Sequence, residues 1–136
     1  EALSRDRKLV RRFNAVSCLS HETPKDFCAK ILRAAFTDKG ATVRANAAGK
    51  AMRLNMHEVL PEFEAAFATE TNDRTKSEMD LCLPLLRDGY KIEERGQDSF
   101  RVTVRTTDGT ASRSLTRAEL DQRGLPAIVR ELQTSP

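Results

Sequence analysis

The spacing of apolar residues near the N-terminus predicts a helix over residues 3–19. At about 100° per residue, one side of this helix collects Leu3, Leu9, Val10, Phe13 and Val16. The opposite side collects the basic residues Arg5, Lys8, Arg11 and Arg12. Such a helix buries its apolar side and leaves its charged side in water. We therefore expect reversal of Arg11 and Arg12 to glutamate to leave the fold intact.

The same period predicts several more helices in the segment that follows. Pro24 favours the start of a helix that ends near Gly40, and residues 42–54 form an alanine-rich stretch with helical spacing. Pro61 marks a restart, and the helical pattern continues from there through Phe67. These features predict a helical N-terminal part.

One further helix precedes Gly89. Thr75 and Glu78 have the spacing of a capping box, in which each residue satisfies a backbone amide at the start of the helix. Pro84 is expected to kink or break this helix, because its ring lacks an amide proton and clashes with the preceding turn. Gly89 is expected to end it.

The period changes from 3.6 to 2 in the last third of the chain. Apolar and polar residues alternate over residues 90–94 and 100–105, and a third strand is predicted over residues 110–115. The dipeptide Asp108-Gly109 is a strong signal for a tight hairpin turn. The pattern therefore predicts a three-stranded antiparallel meander.

The order of these elements indicates the fold class. Thr116 and Glu119 form another capping box, which opens a C-terminal helix after the strands. Helices and strands are thus segregated along the chain, which favours an α+β fold. We predict four to five helices in the N-terminal two-thirds, then the β-meander and a C-terminal helix.

The apolar positions of these elements predict the core. Because the chain has no tryptophan and one tyrosine, this core is mostly aliphatic, with phenylalanines as its largest members. The residues expected to be buried are Phe13, Phe27, Ile31, Phe63, Phe67, Leu83, Leu86, Phe100, Val102 and Val104.

Length and composition favour a single soluble domain over residues 1–136, with a helical part (1–89) and a meander with a helix (90–136). The chain begins with Glu1 rather than Met, so we expect it to be an excised or processed part of a larger protein. No apolar stretch approaches the length of a membrane span. The three cysteines have no framework spacing, which predicts free thiols in a reducing intracellular compartment, the cytoplasm or the nucleus.

The net charge of +3 conceals an uneven distribution. Residues 1–55 carry 12 Lys/Arg and 5 Asp/Glu, whereas residues 56–98 carry 5 Lys/Arg and 11 Asp/Glu. If the two segments lie apart, the molecule has a strong electric dipole that can orient partners. If they pack together, the asymmetry is internal complementarity, and the sequence leaves both arrangements open.

No residue pattern indicates a catalytic, metal or nucleotide site. Cys18 and His21 have a ligand-like spacing and Cys28 follows, but a structural zinc site needs a second close pair. Cys82 and His57 stand alone in the sequence. The chain also lacks a Gly-x-Ser-x-Gly elbow and a phosphate-binding glycine loop. We therefore predict no metal, no cofactor and no catalytic residue.

The basic residues are the remaining candidates for a binding site. They are Arg5, Lys8, Arg11, Arg12, Arg44, Lys50 and Arg53 in the N-terminal half, and Arg101 and Arg105 on the second strand. We predict a non-enzymatic interaction module that binds a protein partner or self-associates through charged and apolar surfaces. Nucleic-acid backbone binding through the basic half is the alternative, and an enzyme with an unrecognised site is the third hypothesis.

Overall fold

The computed structural model of the chain describes residues 7–107 and 109–134. Over these residues the fold is α+β, as the sequence predicts. The helices are α1 (Arg7–Ser17), α2 (Lys25–Phe36), α3 (Ala41–Arg53), α4 (Leu60–Thr69), α5 (Asp73–Asp88), α6 (Arg117–Arg123) and α7 (Leu125–Thr134). A short 3-10 helix (His57–Val59) precedes α4. The strands are β1 (Tyr90–Gly96), β2 (Ser99–Thr106) and β3 (Gly109–Thr116).

The chain divides into two compact units, and the boundary lies between Leu83 and Pro84 within α5. Our expectation of a single domain stays a prediction. No helix in the described part of the chain combines the length and the apolar composition needed to cross a membrane.

The first unit is helical. Helix α1 packs against α2 and α3, and α2 also packs against α3 and α4. The rings of Phe36 and Phe63 stack with centroids 4.9 Å apart, and Leu32 is fully buried. Alanines 47, 48 and 51 of α3 are fully buried as well. Their small side chains allow neighbouring helices to approach α3 closely.

Two of the predicted core phenylalanines are exposed instead. Phe13 is 36% exposed and Phe27 is 52% exposed. Phe27 lies outside the buried stripe of α2, which consists of Cys28, Ala29, Leu32, Ala35 and Phe36. Ile31 and Phe67 are half-buried. The other predicted core residues, Phe63, Leu83, Leu86, Phe100, Val102 and Val104, are buried, as predicted.

Helix α5 differs from its prediction at its N-terminal end and at Pro84. The helix begins at Asp73, and the Asn72 side chain accepts the Thr75 amide proton, so the Thr75–Glu78 capping box is wrong. Thr75 is buried, and its hydroxyl donates to the Ala41 carbonyl oxygen. The helix also continues through Pro84 to Asp88, so Pro84 does not break it, and the alternative of a kink stays a prediction.

The second unit is built on a sheet with strand order β1-β2-β3 and both pairs antiparallel. Helix α7 packs against β2 and β3. The core of this unit consists of Val102, Val104, Leu115, Ile128 and Leu132. Alternate residues of β2 therefore face α7, which is the arrangement that the period of 2 predicts.

The ends of the elements in this unit agree with the sequence signals. Gly89 ends α5 with a positive φ of 85°, a backbone conformation that costs glycine little. The capping box between Thr116 and Glu119 is present in both directions at the start of α6. In the β2–β3 hairpin Thr106 pairs with Gly109, and Asp108 lies outside the described residues.

Candidate functional site

The predicted basic side of α1 divides into exposed and ion-paired residues. Lys8 and Arg11 are exposed, and Arg5 lies outside the described residues. Arg12 is half-buried, and its guanidinium donates to both carboxylate oxygens of Asp38, at 2.6 Å from Nε and 3.2 Å from Nη2. Arg12 thus joins α1 to the turn that follows α2.

Arg44 forms a second, more buried pair. Its Nε and Nη2 donate to Oε1 and Oε2 of Glu70 at 2.7 and 2.9 Å, and its Nη1 donates to the Asp38 carbonyl oxygen at 2.7 Å. The Glu70 side chain is 1% exposed. A bidentate pair of this kind holds both side chains in fixed positions. All three nitrogens of the Arg44 guanidinium therefore bind groups within the helical unit.

The carboxylates of this network have lowered pKa values. Burial opposes ionisation of Asp38, but the hydrogen bonds from Arg12 and from the Gly40 amide outweigh it and lower the Asp38 pKa. The hydrogen bonds from Arg44 lower the pKa of Glu70 against the effect of burial. Both groups are thus held in the charged form by the arginines.

The other predicted basic residues lie on α3 in the helical unit and on β2 in the second unit. The ammonium of Lys50 donates to the Ser17 carbonyl oxygen at the end of α1, and Arg53 at the end of α3 is exposed. Arg101 is exposed on β2, and Arg105 is half-buried in that strand. The structure therefore brings together Arg12 and Arg44 through Asp38, but as parts of an internal ion-pair network.

A groove lies between α1, α3 and the first turns of α5. Its volume is about 530 Å³. We call it the Phe13 groove; it is lined by Phe13, Ala41, Thr42, Ala45, Asn46, Gly49, Arg53, Asn72, Arg74, Thr75 and Glu78. Phe13 is the largest apolar residue among them, and it is partly in water.

The depth of the groove comes from small residues on α3. Ala41, Ala45 and Gly49 follow one another at intervals of four residues and therefore lie along one side of the helix. A β-carbon placed on Gly49 would stand 3.9 Å from Glu78 Oε1, so α5 runs near this side. The Thr75 hydroxyl, bonded to the Ala41 carbonyl oxygen at 3.1 Å, joins the start of α5 to the start of α3.

Phe13 is held at the edge of the groove by its neighbours. The amide of Asn46 donates to the Phe13 carbonyl oxygen at 3.1 Å and to the Ser17 hydroxyl at 2.8 Å. These bonds fix α1 against α3 at the level of Phe13. The aromatic ring is therefore exposed on a backbone that is well anchored.

The charged residues of the groove follow a definite order. Arg74 lies in the first turn of α5, near Ala41, whereas Arg53 is the last residue of α3. Glu78 lies between them, near Gly49. Within the described residues neither Arg53 nor Arg74 forms an ion pair, unlike Arg12 and Arg44. The two groove arginines are available to a ligand.

A second cleft, of about 550 Å³, lies between the end of α2, α4 and the segment before α5. Its charged residues are Asp38, Arg44, Glu62 and Glu70. Asp38 and Glu70 belong to the network above, and Glu62 lies 3.5 Å from Arg33. The carboxylates of this cleft therefore already have basic partners.

The three cysteines differ in their exposure to solvent. Cys28 and Cys82 are buried, and Cys18 is exposed. Burial and the nearby Glu78 carboxylate raise the pKa of Cys82 to about 12, so its thiol stays protonated at neutral pH. In the part of the chain that the structure describes, no three His, Cys, Asp or Glu side chains are arranged to hold a metal ion.

Sequence reasoning missed the groove because it assigned Phe13 to the core. The helical period places Phe13 beside Val16 but does not show how much of α1 the neighbouring helices cover. The small residues at positions 41, 45 and 49 were the one available signal, since such a row leaves space beside a helix. No family model, curated protein or solved structure matches the chain.

Proposed function

We propose that this chain is a non-enzymatic protein-binding module and that the Phe13 groove is its docking surface. The observation that carries the proposal is an exposed phenylalanine beside a row of small residues, with two arginines at the rim that form no ion pair among the described residues. Protein interfaces are enriched in aromatic residues and arginine, and their apolar centres are surrounded by polar rims. The Phe13 groove has this composition.

The ion pairs of the helical unit favour a protein partner over a nucleic acid. Phosphate binding needs several basic side chains directed to one surface. Arg12 and Arg44 are bonded to carboxylates, and Lys50 is bonded to the end of α1. The floor of the groove is formed by Ala41, Ala45 and Gly49, which carry no charge.

The shifted pKa values do not favour an enzyme. Among the described residues they belong to Asp38, Arg44, Glu70 and Cys82. Ion pairing explains the first three and burial explains the fourth. A catalytic group needs a partner that moves its proton or orients it toward a substrate, whereas Asp38, Arg44 and Glu70 are bonded to one another or to Arg12 and the Cys82 thiol is buried.

Site-specific crosslinking tests this proposal. A photoreactive phenylalanine analogue is placed at position 13 and, in a matched control, at position 27, which is also an exposed phenylalanine of this unit. We expect position 13 to crosslink to a defined protein, or to a second copy of the chain, and position 27 to crosslink to neither. Equal crosslinking at both positions, or none at position 13, would contradict the proposal.

A further inference from the structure

The distance between the two arginines of the Phe13 groove indicates where a partner would carry opposite charges. Arg74 lies near the Ala41 end of α3 and Arg53 is its last residue. Ala41 and Arg53 are twelve positions apart in the helix, which corresponds to about 18 Å along the axis. The two positive charges therefore lie toward opposite ends of the groove, and Glu78 is located between them.

The floor of the groove suits a helix. Ala41, Ala45 and Gly49 present no side chain larger than a methyl group along one line of α3. Where facing side chains are small, two helices pack with a short interaxial distance. Helix α5 forms the opposite wall and runs in the same direction as α3, because Thr75 contacts Ala41 and Glu78 approaches Gly49. A third helix can lie along this line with its apolar residues against Phe13.

From these observations we infer that the Phe13 groove binds a partner helix with an acidic residue at each end of its contacting face, about three turns apart. This inference rests on the proposed function. The two acids face Arg53 and Arg74, which form no ion pair among the described residues. Opposite charges across an interface set the register of the partner and exclude competitors. Glu78 disfavours a third acid midway between them.

A displayed library of helical peptides tests the inference. The peptides are about 16 residues long with a randomised contacting face, and they are selected on the full chain and counter-selected on Phe13→Asp. We expect the selected sequences to carry Asp or Glu at two positions about 11 residues apart, which lie on one face after three turns. When the library is selected on the Arg53→Glu variant, the preference at the peptide position facing residue 53 should change from Asp or Glu to Lys or Arg. When it is selected on Arg74→Glu, the same change should occur at the other end of the peptide.

Affinities of the selected peptides provide the matched control. Arg53→Glu should weaken the binding of an acidic peptide at least about tenfold, because a buried or partly buried charge pair is replaced by repulsion. Arg101→Glu, which reverses an exposed arginine of β2, should change the affinity less than about twofold. Circular dichroism checks that each variant keeps its helix content.

The possible failures are distinguishable. Peptides that require Phe13 but show no acidic preference would overturn this inference and leave the proposed function standing. No selected peptide, or peptides that bind Phe13→Asp equally well, would overturn both. Displacement of the acidic peptides by duplex DNA or RNA at physiological salt would assign Arg53 and Arg74 to phosphate binding and would also overturn the inference.

Discussion

Whether a basic side chain of this chain can contact a ligand depends on whether a nearby carboxylate already binds it. Arg12 and Arg44 each bond to a carboxylate 26 residues away in the sequence, whereas Arg53 and Arg74 line a groove. The charge of a residue is evident from its letter, but its partner is set by the fold. Reversal of Arg12 would place a second carboxylate beside Asp38, so the expectation that this change leaves the fold intact is withdrawn.

The pair between Arg44 and Glu70 predicts a dependence of stability on pH. The pKa of Glu70 is lowered in the folded state, so the unfolded chain binds the proton more tightly. The stabilisation is complete above the ordinary value of 4.5 and is lost as the pH falls through the folded-state value. We expect the unfolding free energy of Glu70→Gln to fall less steeply than that of the wild type between about pH 5 and pH 3.

Urea denaturation at three pH values in this range measures the difference. Glu64→Gln, an exposed position on the same segment, is the control and should behave as the wild type does. An identical pH dependence for Glu70→Gln and the wild type would show that the ion pair does not contribute.

Burial predicts opposite outcomes for two phenylalanines. Phe63 is fully buried and stacked on Phe36, so Phe63→Ala should lower the unfolding free energy by about 3–5 kcal/mol. Phe27 is half in water, and Phe27→Ala should cost less than about 1 kcal/mol. Denaturant titration of both variants measures these free energies. A larger loss of unfolding free energy for Phe27→Ala would show that Phe27 belongs to the core after all.

At the scale of whole elements, much of the fold follows from periodicity. The alternation of residues 100–105 predicts β2, and the structure places Val102 and Val104 in the core of that unit. Periodicity describes one element at a time, however. It could not show that Phe13 would be left uncovered, because that depends on how α3 and α5 pack beside α1.

Capping signals are local, yet they compete with each other. Thr116 and Glu119 form their box at the first residues of α6, where Oε1 of Glu119 accepts from the Thr116 amide and Oε2 lies 3.8 Å from Arg113. Thr75 has the same spacing to Glu78, but Asn72 caps the helix one turn earlier and the Thr75 hydroxyl bonds to Ala41. The sequence motif alone does not distinguish these cases, since the deciding contact is 34 residues away.

The capping box at the start of α6 predicts a measurable contribution. Thr116→Ala removes the hydroxyl that accepts the Glu119 amide proton and should lower the unfolding free energy by about 1 kcal/mol. Thr116→Ser keeps the acceptor and should remain within about 0.5 kcal/mol of the wild type. Thermal or urea unfolding of the pair provides the comparison. Equal stability of the alanine and serine variants would contradict the role of the box.

At the scale of the molecule, the uneven charge of the chain is partly neutralised inside the helical unit. Lys25, Arg33 and Arg44 of the basic segment pair with Glu58, Glu62 and Glu70 of the acidic segment. The first part of the acidic segment, residues 58–70, is thus ion-paired with the basic segment, as in one of the two arrangements that the sequence left open.

This neutralisation predicts weak nucleic-acid binding. We expect no useful affinity for duplex DNA, single-stranded DNA or RNA at physiological salt, measured by fluorescence anisotropy at two salt concentrations. The matched variant is Lys8→Glu with Arg11→Glu, which leaves the Arg12–Asp38 pair in place. Tight binding to duplex DNA, with a salt slope of about −0.9 per phosphate contact that the variant reduces, would favour the nucleic-acid hypothesis.

The affinity of the partner that crosslinks at position 13 tests most directly whether the Phe13 groove is a docking surface. Its dissociation constant is measured by titration calorimetry for the wild type, Phe13→Ala and Phe27→Ala. An aromatic anchor at the centre of an interface contributes about 2 kcal/mol or more. We therefore predict that Phe13→Ala weakens binding by at least about tenfold and that Phe27→Ala leaves it unchanged. Equal affinities for the wild type and Phe13→Ala would contradict the assignment of the Phe13 groove as the docking surface.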